Sequence, residues 1–333
     1  MNRITGTDGV ATGAGSPGGG RPLERRGGKG LAAGDNIFLG VLVIIGALIL
    51  VVAGAYLVVL YQRGELALST FGLGFLVSSD WNPVRGEFGA LPFLVGTLLT
   101  SLGALILAVP LALASALFVT EYAPRWLAGP VSYLVELLAA IPSVVYGMWG
   151  IFVLVPFVRQ IHLALLTTPG IGELAFIRTP PSGLGLFTAI LILTVMIIPF
   201  TASVARDVIT LVPAEQREAA YALGATKWEV LRTAVLPYAR AGIMGGVILS
   251  LGRALGETMA VTMVIGNRTD LPDGLFAPTA TMASIIANEF AEAVGNLHVS
   301  SLMLIGLVLF LLSIVINLLA RWLIGRLAPR SVA

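Results

Sequence analysis

The sequence of 333 residues contains no cysteine, has only two histidines, and is charged at only 11% of its positions. The absence of cysteine excludes disulfides, thiolate metal sites and a cysteine nucleophile. An ordinary soluble domain carries about 25% charged residues, so the low charge excludes that class. The chain has 57% hydrophobic residues and a mean hydropathy of +0.94, which indicates a polytopic membrane protein.

The chain also lacks the G-x-x-x-x-G-K-[ST] loop that cradles nucleotide phosphates, so it cannot bind ATP in that manner. No nucleic-acid-binding module is visible. His162 and His298 are far apart in the sequence and have no carboxylates at metal-site spacing, so we expect them to be solvated or bonded locally. The sequence therefore predicts no catalytic residue, no metal site and no cofactor in this chain.

Six apolar runs are long enough to cross a hydrocarbon core of about 30 Å as α-helices. They lie at Ile37–Leu60 and near 91–120, 129–158, 184–206, 241–266 and 299–321. The sequence therefore predicts an all-α polytopic membrane protein with six transmembrane helices. The first 35 residues are rich in Gly, Ser and Pro, which predicts a disordered tail.

These runs divide the chain into a Gly-rich tail (1–35), the first transmembrane helix with an outer loop (36–90), a transmembrane core (91–324) and a second tail (325–333). Lysine and arginine are concentrated in the two tails and in the segments after the second and fourth runs. Such segments remain in the cytoplasm. We therefore expect both termini inside, and outer loops near 61–90, 159–183 and 267–298.

The segment 212–237, VPAEQREAAYALGATKWEVLRTAVLP, lies on the predicted cytoplasmic side. Pro213 suits the first turn of a helix, Gly224 suits the position just past a helix end, and Thr226 with Glu229 has the spacing of a capping box. The pattern predicts two short helices. An interfacial amphipathic hairpin is an alternative, whereas a DNA-binding helix-turn-helix is disfavoured because the spans hold the segment against the bilayer.

Within this segment, EAAYALG runs from Glu218 to Gly224, and a stretch ending at Leu236-Pro237 follows. This pattern resembles the EAA loop of ABC importer permeases, except that Ala234 stands where the family has Ile. The resemblance implies docking of a separate ATPase subunit, which binds ATP and Mg. The docking residues that it implies are Glu218, Ala219, Ala220 and Gly224. The small side chains could also simply pack the hairpin on itself.

The fifth apolar run, GGVILSLGRALGETMAVTMVIGN, carries Arg253 and Glu257 in its middle. A charge at the centre of a membrane helix costs roughly 2.5–3.5 kcal/mol, so it normally faces a partner or a water-filled path. A spacing of four places both side chains on one helical face, where they could pair. Alternatively, Arg253 offers a fork of donors to a passing anion while Glu257 orients it or balances its charge.

Five stretches together resemble the permease subunits of bacterial phosphate-specific ABC importers. They are WNP at 81–83, FGALPFLVGTLLTS at 88–101, VPLALASALFVTEYAP at 109–124, ELLAAIPSVVYGMWG at 136–150 and GRALGETMAVTMVIGN at 252–267. The resemblance implies a type I ABC importer permease fold in the bacterial cytoplasmic membrane, and phosphate import by alternating access. It places Arg253 and Glu257 in the translocation path. Glu136 is a weaker candidate, because a carboxylate there could equally pair locally.

The resemblance also implies three kinds of partner. These are a second, related permease subunit, a homodimer of ATPase subunits, and an extracytoplasmic phosphate-binding protein. Three other functions are alternatives: an importer for another oxyanion, an intramembrane enzyme and an ion-coupled secondary transporter. An enzyme would need paired ionisable groups or a base-activated nucleophile, and Glu136, Arg253 and Glu257 supply neither an Asp dyad nor a Ser-His pair. A secondary transporter would show inverted repeats and would not need the docking loop.

The predicted topology can be tested with single cysteines, because the native chain has none. We expect Arg25→Cys and Lys227→Cys to stay unlabelled by a membrane-impermeant thiol reagent in intact cells, whereas cysteines in the loops 61–90 and 267–298 react. The physical reason is the one-sided distribution of lysine and arginine. Permeabilised cells, in which every site should react, provide the control. Labelling of Lys227→Cys in intact cells would reverse the orientation.

Overall fold

In this computed structural model, residues 29–170 and 172–327 are described. Positions 1–28 and 328–333, which make up most of the two predicted tails, lie outside the described residues. The first helix begins at Lys29, which lies within the segment that was expected to be a disordered tail. The chain forms two compact units, of which the first ends at Ala55 and the second begins at Tyr56.

Thirteen α-helices are present in the described residues: α1 Lys29–Phe71, α2 Gly74–Val77, α3 Leu91–Leu117, α4 Arg125–Ala140, α5 Ser143–Trp149, α6 Val155–Thr167, α7 Leu186–Thr210, α8 Ala214–Ala222, α9 Lys227–Val230, α10 Leu236–Leu255, α11 Met259–Val264, α12 Met282–Glu289 and α13 Asn296–Leu327. Three π-helical turns join or extend them: Phe118–Tyr122, Gly150–Leu154 and Leu231–Val235. Within the described ranges the extended pairing consists of two isolated bridges, so the all-α prediction is confirmed.

Six helical segments of the described chain are long and apolar enough to span a membrane, as predicted. They are Asn36–Phe71, Leu91–Tyr122, Ser143–Thr167, Leu186–Thr210, Lys227–Leu255 and Asn296–Arg326. The second, fourth and sixth agree with the predicted runs to within several residues. The first is longer than predicted, because the helix continues past Leu60 to Phe71.

The third span differs from the prediction, which ran unbroken from 129 to 158. Helix α4 ends at Ala140, and Ile141 has an extended backbone with a ψ of 129°. A new helix starts at Ser143. The break follows from Pro142, because a proline disfavours the α conformation of the residue before it. The span therefore begins at Ser143, and α4 is a separate helix none of whose residues is fully buried.

The fifth span was also predicted as one helix, from 241 to 266, and that prediction is wrong. Helix α10 ends at Leu255, and α11 starts at Met259 after a short break. Gly256 lies in the break, where a glycine weakens a helix by about 1 kcal/mol relative to alanine. Glu257 Oε1 accepts a hydrogen bond from the Ala260 backbone N–H at 3.3 Å, as a capping side chain does. These two residues end one helix and start the next.

The first unit contains α1 up to Ala55. From Asn36 to Val52 every side chain is exposed, and most of them are large and apolar. A soluble protein rarely exposes an apolar surface of this extent. The surface is instead suited to a helix that lies in hydrocarbon, where lipid tails cover the side chains.

The second unit is organised around α3 and α7, which pack along each other. A Cβ atom at Gly103 of α3 would lie only 2.8 Å from Ile190 Cδ1 of α7, so the glycine is what permits this approach. The Thr194 hydroxyl donates to its own helix at Ile190 O (2.8 Å) and lies 3.5 Å from Ala104 O of α3. Because lipid tails are as apolar as leucine, close packing at small residues is what holds such helices together.

The N-terminal half of α3 also packs closely, in this case against the segment before α12. A Cβ atom at Gly96 would lie 2.1 Å from the Ala280 carbonyl oxygen. The neighbouring Thr97 hydroxyl accepts a hydrogen bond from the Met282 backbone N–H at 2.9 Å. Both residues are buried, and together they fix the backbone of 280–282 on α3.

We expect Gly96→Ala to lower the thermal unfolding midpoint of the purified protein, since the new methyl group would overlap a backbone oxygen. Overpacking of this kind costs about 1–3 kcal/mol. Gly129→Ala is the matched control, because Gly129 is exposed inside α4 and a Cβ atom there meets nothing within 4 Å. Thermal unfolding in detergent is the measurement. Equal midpoints for the two variants would mean that the contact at Ala280 relaxes freely.

Candidate functional site

The predicted docking segment forms a hairpin of two short helices, α8 and α9, followed by a π-helical turn. Gly224 has a φ of +79°, a conformation that glycine adopts at little cost, directly after the end of α8. The Thr226 backbone N–H donates to Glu229 Oε2 at 2.7 Å, and the Glu229 N–H donates to the Thr226 hydroxyl at 3.4 Å. The predicted capping box and the predicted turn are both confirmed.

One side of the hairpin is packed and the other is free. Ala220 is partly buried against a core that includes Ile209, Leu231 and Val235, so this small residue packs the hairpin on its own base. Glu218 and Ala219 are exposed on α8. Large apolar side chains are exposed around the turn, among them Leu223 (89%) and Trp228 (59%). The four predicted docking residues therefore differ in exposure: Ala220 faces inward, whereas the other three are accessible.

Arg253 lies in the last turn of α10 and is exposed, whereas Glu257 lies in the break and is partly exposed. Among the described residues, no ion pair within 4.0 Å joins the two side chains. The prediction that they share one helical face is wrong, because the helix ends two residues before Glu257. The guanidinium carbon lies 5.9 Å from the centre of the Phe200 ring, at the edge of cation–π range.

Arg253 lies two residues before the end of the fifth span, Lys227–Leu255, in an apolar run that continues through α11 after the break. It lies thirteen positions after Arg240, the last basic residue of the predicted cytoplasmic segment, which corresponds to about 20 Å along a helix. The hydrocarbon core is about 30 Å thick. Both an exposed guanidinium and a non-helical backbone at this depth are tolerated only beside protein or a water-filled cavity. A position of this segment within the hydrocarbon core would therefore require protein or water, not lipid, beside Arg253 and the break.

The short helix α11 is held against α5 and the π-helical turn after it. A Cβ atom at Gly147 would lie 2.5 Å from Met263 Sδ, and one at Gly150 would lie 2.8 Å from Val264 Cγ1. These glycines belong to the stretch ELLAAIPSVVYGMWG, in which the sequence alone indicated no role for them. They allow the segment after the break to lie directly on the third span.

The remaining polar candidates are bonded locally. Glu136 Oε1 lies 2.8 Å from Arg206 Nη2, which joins α4 to α7. His162 is buried, bonds the Ile177 carbonyl oxygen at 2.8 Å and stacks on Phe276. Local bonding, one of the two outcomes expected for the histidines, therefore holds for His162.

His298 is bonded locally as well. Its Nε2 lies 2.9 Å from Glu289 Oε2, and the same oxygen accepts the Trp81 indole N–H at 2.9 Å. The Trp81 ring also packs edge-on against Phe88 and Phe93. Trp81 of the WNP stretch is thus part of a packed cluster that also contains residues of α12 and α13.

The contacts that join Arg217 and Lys227 of the hairpin to Glu121 could not be predicted from the sequence. Glu121 Oε1 lies 2.7 Å from Arg217 Nη1, and Lys227 donates to the Glu121 carbonyl oxygen. Arg217 lies directly before the EAA motif, within the segment 212–237, and Glu121 lies in VPLALASALFVTEYAP. Both stretches were singled out by the sequence. Their separation of almost one hundred positions left no signal that the two make contact.

Comparison with known proteins adds to this geometry. The family model described as "Binding-protein-dependent transport system inner membrane component" matches residues 108–332. The phosphate transport system permease protein PstC of Mesorhizobium japonicum is 47% identical over 304 residues, covering 90% of this chain and 92% of the relative. PstC of Pasteurella multocida is 52% identical over 269 residues, covering 80% and 83%.

Two solved structures resemble the fold. A chain of a bacterial alginate ABC transporter, in complex with an alginate pentasaccharide-bound periplasmic protein, has a TM-score of 0.58 and 17% identity, covering 86% of this chain and 95% of that one. A chain of the inward-facing MetNI methionine ABC transporter has a TM-score of 0.51 and 20% identity, covering 75% and 97%. At such identities the likeness concerns the fold alone, and it is the fold of ABC importer permeases. Because the family model covers most of the chain and the PstC relatives extend over nearly all of it, the chain belongs to the family of binding-protein-dependent transport system inner membrane components.

Proposed function

We propose that this chain is the membrane-spanning permease subunit of an ATP-driven importer of inorganic phosphate. The substrate proposal is supported by the names of the relatives, which are phosphate transport system permease proteins. The observation that carries it in the molecule is the exposed guanidinium of Arg253 at membrane depth beside a broken helix. The chain breaks no bond itself, and it moves phosphate from the outer side to the cytoplasm by alternating access.

Arg253 suits a tetrahedral oxyanion for chemical reasons. Its guanidinium carries a positive charge and presents five N–H donors in a planar fork. Two phosphate oxygens can accept from such a fork at once, which gives short, charge-assisted hydrogen bonds. A lipid-facing arginine would have no comparable partner. The exposed surface around Arg253 is therefore covered in the assembly by a second, related permease subunit (PstA-like), and the anion passes between the two.

Glu257 belongs to the same path but has a different role. Its carboxylate caps α11 through the Ala260 N–H, so it fixes the geometry of the break that exposes Arg253. It also carries the negative charge that is nearest to Arg253 in the sequence of this span. When no anion is bound, that charge offsets part of the cost of holding an arginine within the membrane.

The hairpin supplies the docking surface for the ATPase. Glu218, Ala219 and Gly224 are accessible on it, and they lie among exposed apolar side chains that a partner would cover. The partner is a homodimer of PstB-like ATPase subunits, which bind ATP and Mg. An extracytoplasmic phosphate-binding protein (PstS-like) docks on the outer loops. With the hairpin in the cytoplasm, six spans put both termini of the chain on the cytoplasmic side as well.

Transport requires that each partner favours a different state of the permease. A ligand shifts a conformational equilibrium only by its difference in affinity for the two states, so ATP and the loaded binding protein must favour opposite ones. The hairpin is suited to transmit the change because its turn is capped and its core is packed, whereas a flexible linker would absorb the displacement.

We expect Arg253→Gln to lower phosphate uptake by about tenfold to hundredfold, the loss typical of removing a charge-assisted hydrogen-bonded contact. Arg253→Lys should also be impaired, because an ammonium keeps the charge but loses the planar fork. The measurement is uptake of radiolabelled phosphate in proteoliposomes, normalised to assembled complex. An excess of sulfate or molybdate should not compete, which separates phosphate from other oxyanions.

The control is the double variant Arg253→Gln/Glu257→Gln. If the two residues served only as each other's counter-ion, neutralising both would restore uptake along with folding. With Arg253 in the anion path, the double variant stays as impaired as Arg253→Gln alone while the complex still assembles. Full uptake in the double variant would remove Arg253 from the path.

For the docking surface, we expect Leu223→Glu to reduce recovery of the ATPase with the purified permease. Leu223 is 89% exposed at the hairpin turn, and a charge there would oppose burial in an interface. Leu73→Glu is the matched control, because Leu73 is 79% exposed but follows α1 on the outer side. Equal recovery of the ATPase with both variants would place the ATPase elsewhere.

A further inference from the structure

Two basic side chains, one from each arm of the hairpin, reach the same point outside it. Arg217 of α8 places Nη1 2.7 Å from Glu121 Oε1. Lys227 of α9 donates its ammonium to the Glu121 carbonyl oxygen, and its Nζ lies 4.6 Å from the centre of the Tyr122 ring. The target of both is the π-helical turn Phe118–Tyr122, in which the second span ends. The hairpin is therefore attached to that span through both of its arms.

Arg217 makes a further contact that joins a third element. Its Nη2 donates to the Ile209 carbonyl oxygen at 2.9 Å, near the end of α7. One guanidinium thus connects α8, the end of α7 and the end of the second span. A displacement of α8 would therefore be transmitted through this side chain to the other two segments.

The Arg217–Glu121 contact is shielded from water. The side chains are 25% and 11% exposed, whereas those of the Arg268–Asp270 pair in an outer loop are 53% and 63% exposed. The N–H bonds of Arg217 do not point directly at the carboxylate, so this is an ion contact rather than an aligned hydrogen bond. Exposed pairs contribute little, but a shielded charge that loses its partner is strongly unfavourable.

The second span leads from this contact towards the proposed anion site. Leu105 of α3 packs in a cluster with Leu251 and Leu255, the residues on either side of Arg253. Sixteen residues separate Leu105 from Glu121, about 24 Å along a helix. A displacement of the hairpin that carried α3 with it would therefore reach the segment that holds Arg253.

We propose that Glu121 is a positioning residue for transport: with Arg217 it fastens the docking hairpin to α3, so that motion of the ATPase reaches the Arg253 end of α10. The π-helical turn supports this role, since such turns are frequent at functional sites. The inference rests on the proposed function, because it needs an ATPase on the hairpin and an anion path at Arg253. Loss of the Glu121–Arg217 contact should therefore weaken the coupling of ATP hydrolysis to phosphate transport, while the ATPase still binds the hairpin.

The test compares phosphate moved per ATP hydrolysed in proteoliposomes that contain the whole complex and the loaded binding protein. We expect Glu121→Gln and Arg217→Gln each to lower this ratio by about tenfold, within the range typical of coupling between sites. The ATPase should be recovered with both variants as with the unaltered chain. Because the two residues act as a pair, the double variant should lose no more than the worse single one.

Asp207→Asn is the matched control. It removes a carboxylate from another arginine–carboxylate contact, that of Arg206 with Asp207 at 2.9 Å, which lies within α7. This variant should keep the normal ratio. An unchanged ratio in the Glu121 and Arg217 variants, losses that multiply in the double variant, or loss of the ATPase from the complex would each overturn the proposal. The complex with the unaltered chain distinguishes failure of this proposal from failure of the proposed function. If that complex moves no phosphate, the proposed function itself is contradicted.

Discussion

Neither a charged side chain nor an unpaired backbone group is stable when it faces hydrocarbon. This constraint determines how the fifth span is built. Arg253 is exposed about 20 Å along the helix from Arg240, and the helix that carries it ends two residues later. A continuous, lipid-facing helix with a leucine at this position would be more favourable. The chain instead holds an arginine beside a break, which is an arrangement that requires a protein-lined or water-filled space next to it.

The rest of the second unit supports that arrangement from two directions. On one side, α11 restarts the helix under the cap of Glu257 and lies on glycines of the third span. On the other, α3 packs against Leu251 and Leu255 and extends to the turn that holds the docking hairpin. Discontinuous helices with a site at the break are a recurrent device in transporters. Here α3, which borders the proposed anion site, leads into the π-helical turn that contacts the proposed docking hairpin.

Apolar run length and the short-range motifs were enough to predict much of this. Length alone predicted six spans, and the spacing of Thr226 and Glu229 predicted the cap that the structure contains. The errors arose where a local signal competed with an apolar run. Pro142 ended a helix within such a run, and Gly256 with Glu257 divided another, so hydropathy placed both segments in unbroken spans. The contact between Glu121 and Arg217 was beyond prediction, because it depends on the tertiary packing of α3, α7 and α8.

The most direct test of Arg253 in an anion path is a structure of the assembled four-component complex, trapped during turnover with phosphate. We expect a bound phosphate with two oxygens about 2.7–2.9 Å from the Arg253 guanidinium, in a space lined by this chain and the second permease. The break at 256–258 should border that space. A guanidinium that instead pairs with Glu257 or faces lipid tails in every state, with phosphate passing elsewhere, would contradict the assignment.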